Sequence, residues 1–170
     1  MSEQVTVDSL EFARSGKTLS GKLEIAALGR LHDRLASTDG AVEYELTGHT
    51  DNKGKPGLHC RVRGALNLIC QRCLQPMEWK VELDSHLVLA MSEAELGEDE
   101  DDPEAPDMLL AQKDMKVQEL VEDELLLGLP LAPKHPEGQC RRSISSGASQ
   151  ESGEAVNPFT ALAKLKPGKH

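Results

Sequence analysis

AVEYELTGHTDNKGKPGLHCRVRGALNLICQRCLQPMEWKVELDSHLVLAM, residues 41–91, holds three apolar–polar alternations separated by two turn-rich breaks. Ala41–Thr50 alternates through Val42, Tyr44 and Leu46; Leu58–Cys70 through Cys60, Val62, Ala65 and Leu68; Met77–Met91 through Trp79, Val81, Leu83, Leu87 and Leu89. A period of two sends successive side chains to opposite faces of an extended chain, so each run predicts a half-buried strand. The breaks are short: Asp51–Gly57 carries Gly54, Pro56 and Gly57, and Cys73–Pro76 is tight. Connections that short join antiparallel neighbours, so the stretch predicts a β-meander, with a bulge suggested at Gly64.

Helical signals flank it. Ser20 can cap a segment in which Leu23, Ala27, Leu28, Leu31 and Leu35 recur at helical spacing; Gly29 weakens it and Asp39-Gly40 marks a turn beyond it. A second helix is expected from a cap at Asp114 to Leu127, with Val117, Leu120, Val121 and Leu125 on one face and Gly128 and Pro130 as its stop. The fold class is therefore α+β: an antiparallel meander with two packing helices. Residues 93–107 carry nine acids and no base, and read as an acidic loop. Residues 141–156 are Ser-, Gly- and Glu-rich, the composition of a flexible linker. In the tail, 157–170, Asn157 and Pro158 suit a helix start and Phe159, Leu162 and Leu165 share a face, a short amphipathic motif fitted to dock on a partner. The organisation expected is a domain over 1–140, the linker, and the tail motif.

Composition narrows the function. The chain has 170 residues and a formal charge of −10, with 2% aromatic residues, so its core must be built from Leu, Val, Ile and Ala. No basic start followed by an apolar stretch suggests a secretion signal, and no apolar run reaches the roughly 20 residues of a membrane helix. A cytoplasmic protein without membrane contact is expected, where cysteines serve as thiols or metal ligands more often than as disulfides. No Gly-x-Ser-x-Gly step or glycine-rich phosphate loop appears, and the histidines at 32, 49, 59, 86 and 170 show no mutual spacing that marks a site. Neither catalysis nor a small-molecule substrate is expected.

The chemistry concentrates in Cys70-Gln71-Arg72-Cys73 and in His135 and Cys140 beyond the second helix. Two short-range pairs of soft donors are what a tetrahedral structural zinc site uses, and the candidate ligands are Cys70, Cys73, His135 and Cys140. The alternatives are metal-free thiols, or a redox-active dithiol at Cys70 and Cys73, although the flanks read as strands rather than a helix start. Cys60 reads as a core residue. Residues 51–80 hold six Lys and Arg against two acids, and Lys53, Lys55, Arg61, Arg63 and Arg72 are candidate RNA contacts. The competing reading is an ordinary solvated sheet face, since no aromatics interleave these cations to stack bases.

Three ordered motifs, CQRCLQP at Cys70–Pro76, LVEDELLLGLPLAPKHPEGQC at Leu120–Cys140 and NPFTALAKLK at Asn157–Lys166, resemble the YceD family, described as the large ribosomal RNA subunit accumulation protein. The resemblance implies a bacterial cytosolic factor in the synthesis, processing or stability of large-subunit ribosomal RNA, without a known catalytic activity. Ribosomal RNA or ribosomal and assembly proteins are the partners it implies. A zinc-stabilised protein-interaction module without RNA contact is the alternative, and a dithiol redox protein the third.

Overall fold

The three alternating runs become the three central strands of one sheet. The structure is a computed structural model that describes residues 5–96 and 106–140. Its elements in chain order are β1 (Thr6–Val7), α1 (Ser9–Ser15), β2 (Thr18–Glu24), two 3-10 turns (Ile25–Ala27 and Gly29–Arg34), β3 (Leu35–Ser37), β4 (Ala41–Thr50), β5 (Pro56–Ile69), β6 (Pro76–Ala90), α2 (Glu93–Leu96), β7 (Asp107–Leu110), β8 (Met115–Lys116) and α3 (Val117–Gly128). β4, β5 and β6 pair consecutively and antiparallel, as the meander requires. β2 adds to the outer edge of β4, β7 runs parallel to β6 on the opposite edge, and β3 pairs with the far end of β5. The class is α+β, as expected.

One sheet face forms the core. Val42, Tyr44 and Leu46 of β4, Leu58, Cys60, Val62, Leu66 and Leu68 of β5, and Val81, Leu87 and Leu89 of β6 are buried there. They meet Ile25, Leu28 and Leu31 from the 3-10 turns and Val117, Leu120, Val121 and Leu125 from α3. The buried core is mostly aliphatic, with Tyr44, Cys60 and Met115 among its members, and each fully buried Leu, Ile or Val contributes about 1.5–3 kcal/mol.

Three local expectations are corrected. The helix from Ser20 to Leu35 does not form: β2 occupies its first half, with Leu19 and Leu23 half-buried between exposed Ser20, Lys22 and Glu24. Leu28, between the two 3-10 turns, and Leu31, within the second, are buried instead. Pairing along β4 satisfies the β2 backbone, whereas Gly21 and Gly29 would each weaken a helix by about 1 kcal/mol. Gly64 makes no bulge; it stands opposite Val42 and Val81 in unbroken register, where a Cβ would lie 3.0 Å from Val42 Cγ1. α3 begins at Val117 rather than after Asp114, because Met115 and Lys116 pair with Val7 and Thr6 and the Val117 N–H donates to the Val5 carbonyl at 3.0 Å.

The second packing helix is α1, which the periodicity did not reveal. Asp8 caps it by accepting from the Leu10 and Glu11 N–H groups, each at 3.0 Å, and Gly16 at φ 60° closes it. α1 lies across β4 at Gly48, whose absent side chain leaves room for the Phe12 carbonyl and Ala13. Of the acidic stretch 93–107, Glu93–Leu96 is one helical turn and Asp107 opens β7. Residues 97–105 of that stretch, the linker 141–156 and the tail motif at Phe159, Leu162 and Leu165 lie outside the described residues.

Candidate metal centre

β5 ends at Ile69 opposite Pro76, so Cys70–Gln75 is the hairpin loop between β5 and β6. Within it the Cys70 N–H donates to the Gln75 carbonyl at 3.0 Å and the Leu74 N–H to the Cys70 carbonyl at 2.9 Å. The turn brings Leu74 to φ 59°, a left-handed conformation, and Cys70 and Cys73 of this loop both offer a sulfur to one cluster. The chain leaving α3 returns to this tip: the Gln71 N–H donates to the Pro133 carbonyl at 2.8 Å, and a turn at Pro136–Gln139, with Gly138 at φ 79°, carries Cys140 inward.

All four expected ligands converge. One donor atom from each of Cys70, Cys73, His135 and Cys140 lies within 4.8 Å of the others. Cys70 Sγ is 3.8 Å from Cys140 Sγ, and His135 Nδ1 is 3.4 Å from Cys73 Sγ and 3.9 Å from Cys140 Sγ. Zinc–sulfur bonds of about 2.3 Å at tetrahedral angles set sulfurs about 3.8 Å apart, so the cluster has the dimensions of a Cys3His shell. The cysteines are free thiols. His135 Nε2 donates to the Pro76 carbonyl at 3.2 Å, which fixes the ring and leaves Nδ1 facing the sulfurs. That outer contact, and the left-handed Leu74, were invisible in the sequence: a backbone carbonyl carries no residue code, and leucine is not the residue that announces a positive φ.

The thiols are not equivalent. Burial pushes the Cys70 thiol up, but the N–H groups of His135, Arg72 and Cys73 aimed at its sulfur outweigh burial and bring it down to about 5. Burial, then the neighbouring sulfurs of Cys73 and Cys70, push Cys140 up. One thiolate is stabilised and the next opposed, a conflict that a divalent cation among them removes. Cys60 lies apart in the core, and burial raises its thiol to about 12.

The candidate RNA contacts do not share one patch. Lys53 and Lys55 sit in the β4–β5 turn, where both N–H groups donate to Asp51 Oδ1. Arg72 is in the loop at the other end of the 14-residue β5, roughly 45 Å away at the rise of an extended strand. Arg61 and Arg63 are exposed between them, but each lies in a row of alternating charge: Lys22, Glu43, Arg63, Glu82 in one and Glu45, Arg61, Asp84 in the next. Arg61 reaches Asp84 at 3.1 Å and Glu45 at 3.3 Å. Carboxylates from the flanking strands thus answer the cations counted along the hairpin. Among the described residues, no helix is long and apolar enough to cross a membrane.

Comparison with known proteins adds a family. Residues 58–166 match the family described as "Large ribosomal RNA subunit accumulation protein YceD". A Haemophilus influenzae protein of that same name is 26% identical over 168 residues, which cover 95% of each chain. No solved structure matches.

Proposed function

The chain belongs to the YceD family, and from that premise we propose that it is a non-catalytic factor in the accumulation of large-subunit ribosomal RNA. It acts in the cytoplasm through RNA or ribosomal-protein contacts, on a fold that one structural zinc ion closes. The observation that carries this reading is that the family match, residues 58–166, spans Cys70, Cys73, His135 and Cys140, the residues that converge at zinc-like distances. Three sulfurs and one imidazole favour zinc over hard cations, and four protein donors fill the tetrahedron, as structural rather than catalytic zinc sites do. The ion's task is mechanical: it pins the segment after α3 to the β5–β6 tip.

Two measurements test it. Elemental analysis of protein purified without chelator is expected to find one zinc per chain, absent from the Cys70→Ser/Cys73→Ser variant. Cells lacking the protein are expected to hold less large-subunit than small-subunit ribosomal RNA, restored by the wild type and not by that variant; an unchanged ratio would overturn the proposal.

The alternating charges of the sheet face favour a second reading, in which the partner is protein alone. Leu74, Leu127 and Leu131 are exposed beside the centre or at the end of α3, as a protein contact would use them. Lys53, Lys55, Arg63 and Arg72 are the cations offered to phosphate in the RNA reading, with Arg61 held between its carboxylates. Direct phosphate contact releases counterions, so binding to a large-subunit RNA fragment would fall steeply with salt and weaken in Lys53→Glu/Lys55→Glu or Arg61→Glu/Arg63→Glu. Absence of such binding alongside capture of a ribosomal protein would decide for the second reading.

A further inference from the structure

The histidines whose sequence spacing marked nothing are gathered by strand register. His59 of β5 stands directly opposite His86 of β6, and Asp84 is two residues from His86 on the same exposed face. The two imidazoles stack with centroids 4.1 Å apart and planes 10° from parallel. Both aim Nε2 at one atom: Asp84 Oδ1 is 2.6 Å from His59 Nε2 and 3.6 Å from His86 Nε2. The other oxygen, Oδ2, accepts from Arg61 Nε at 3.1 Å, which turns Oδ1 toward the rings. A third ring stands by: His49 of β4 meets His86 edge-on at 6.4 Å, and its Nδ1 is buried without a hydrogen-bond partner. Gly57 makes that approach possible, since a Cβ there would lie 2.8 Å from both Cε1 and Nε2 of His49.

An ion pair alone does not require this arrangement. One imidazolium satisfies Asp84, and stacking a second charged ring on the first would be repulsive. Two parallel rings with both Nε2 atoms turned to one carboxylate oxygen form a convergent donor set, and the three ligand atoms lie within 4.8 Å of one another. We propose that His59, Asp84 and His86 form a second metal site, open to solvent, for a divalent first-row transition ion, with His49 as the adjoining ring. Imidazole with one carboxylate suits Zn2+, Ni2+ or Cu2+ better than Mg2+ or Ca2+, and three protein ligands leave positions for water or a partner's anionic group. Bonds of about 2.0–2.1 Å separate adjacent ligand atoms by about 3 Å, so on binding the pair opens slightly and the proton between His59 and Asp84 is displaced, by way of solvent to Nδ1 from a neutral ring and to solvent itself from an imidazolium. The site lies eleven residues along β5 from Cys70, some 35 Å, and shares no residue with the thiolate centre.

The test is titration of tag-free, full-length protein with Ni2+ alone, read by calorimetry and by paramagnetic broadening of the histidine ring signals. The expected result is one Ni2+ per chain that broadens His59 and His86 while sparing His135, produces no sulfur-to-nickel absorption, and is lost in His86→Ala and in Asp84→Asn. His86 is well exposed, with 68% of its side chain accessible, so its removal leaves the core intact. Absence of uptake, uptake that survives both substitutions, or a thiolate spectrum with broadened His135 would each overturn the inference. Zinc content measured in the same His86→Ala sample stays at the wild-type value, which separates failure here from failure of the thiolate centre.

Discussion

Leu74 holds a left-handed backbone with its side chain 71% exposed, so it carries conformational cost with little packing in return. A leucine in that conformation costs about 1–2 kcal/mol, and glycine gives back part of the relief through greater freedom in the unfolded chain. Leu74→Gly is therefore expected to raise stability by about 0.5–1 kcal/mol in denaturant unfolding while leaving metal content unchanged. The cysteines give a second residue-level expectation. Stripped of metal, the folded protein keeps the Cys70 thiolate down to about pH 5, because the N–H groups around its sulfur outweigh burial. Its folded pKa lies below the unfolded one, so its contribution to stability is complete above the ordinary thiol range and disappears as pH falls toward 5. Ultraviolet thiolate absorbance should show that transition, and Cys70→Ser should remove it. Cys60, raised to about 12, remains a neutral thiol at neutral pH and reacts with alkylating reagents only on unfolding.

Among the elements, α1 depends on a gap in β4. A methyl group at Gly48 would occupy the place of the Phe12 carbonyl and Ala13, so Gly48→Ala must push the helix off the sheet. A loss of about 1–3 kcal/mol is expected, seen as a lower denaturation midpoint, with the hairpin and its cysteines unaffected. This dependence also explains what the sequence could and could not convey. β4, β5 and β6 were legible to within two residues because alternation and the turn residues at 51–57 speak of local geometry. The four thiolate-centre residues were legible because Cys and His at short spacing have few other uses. The leucines from 23 to 35 were misread because they satisfy two periods, and a paired edge of β4 settles the matter from outside the segment. α1 was missed because its seven residues are too few for a periodic signal, although Asp8 and Gly16 frame it. The His59–Asp84–His86 group needed the register of two strands, which only turn geometry fixes.

At the scale of the whole molecule, the proposed zinc ion joins residues 62 apart, Cys73 and His135. Closing a loop of that length removes about 4 kcal/mol of unfolded-chain entropy by the reckoning used for a disulfide. A strong chelator should therefore lower the melting temperature on the order of 10 °C. Loss of that size without detachment of α3 from the sheet would show that the ion supports the closing segment rather than the core. A different consequence follows from the seam between the two ends of the domain. The Ser9 N–H donates to the Gln112 carbonyl and the Gln112 N–H to Ser9 Oγ, both at 2.9 Å, while β1 pairs with β8. During vectorial synthesis, β1 and Ser9 must wait for partners made a hundred residues later. The β4–β6 hairpins can close early and give α1 its seat on β4, but β1 stays unpaired until β8 has emerged, and the candidate zinc ligands of the far side arrive later still. Such separation between contacting residues slows folding, so a nascent chain halted before Met115 should remain open to proteolysis at Val5–Asp8, ahead of α1.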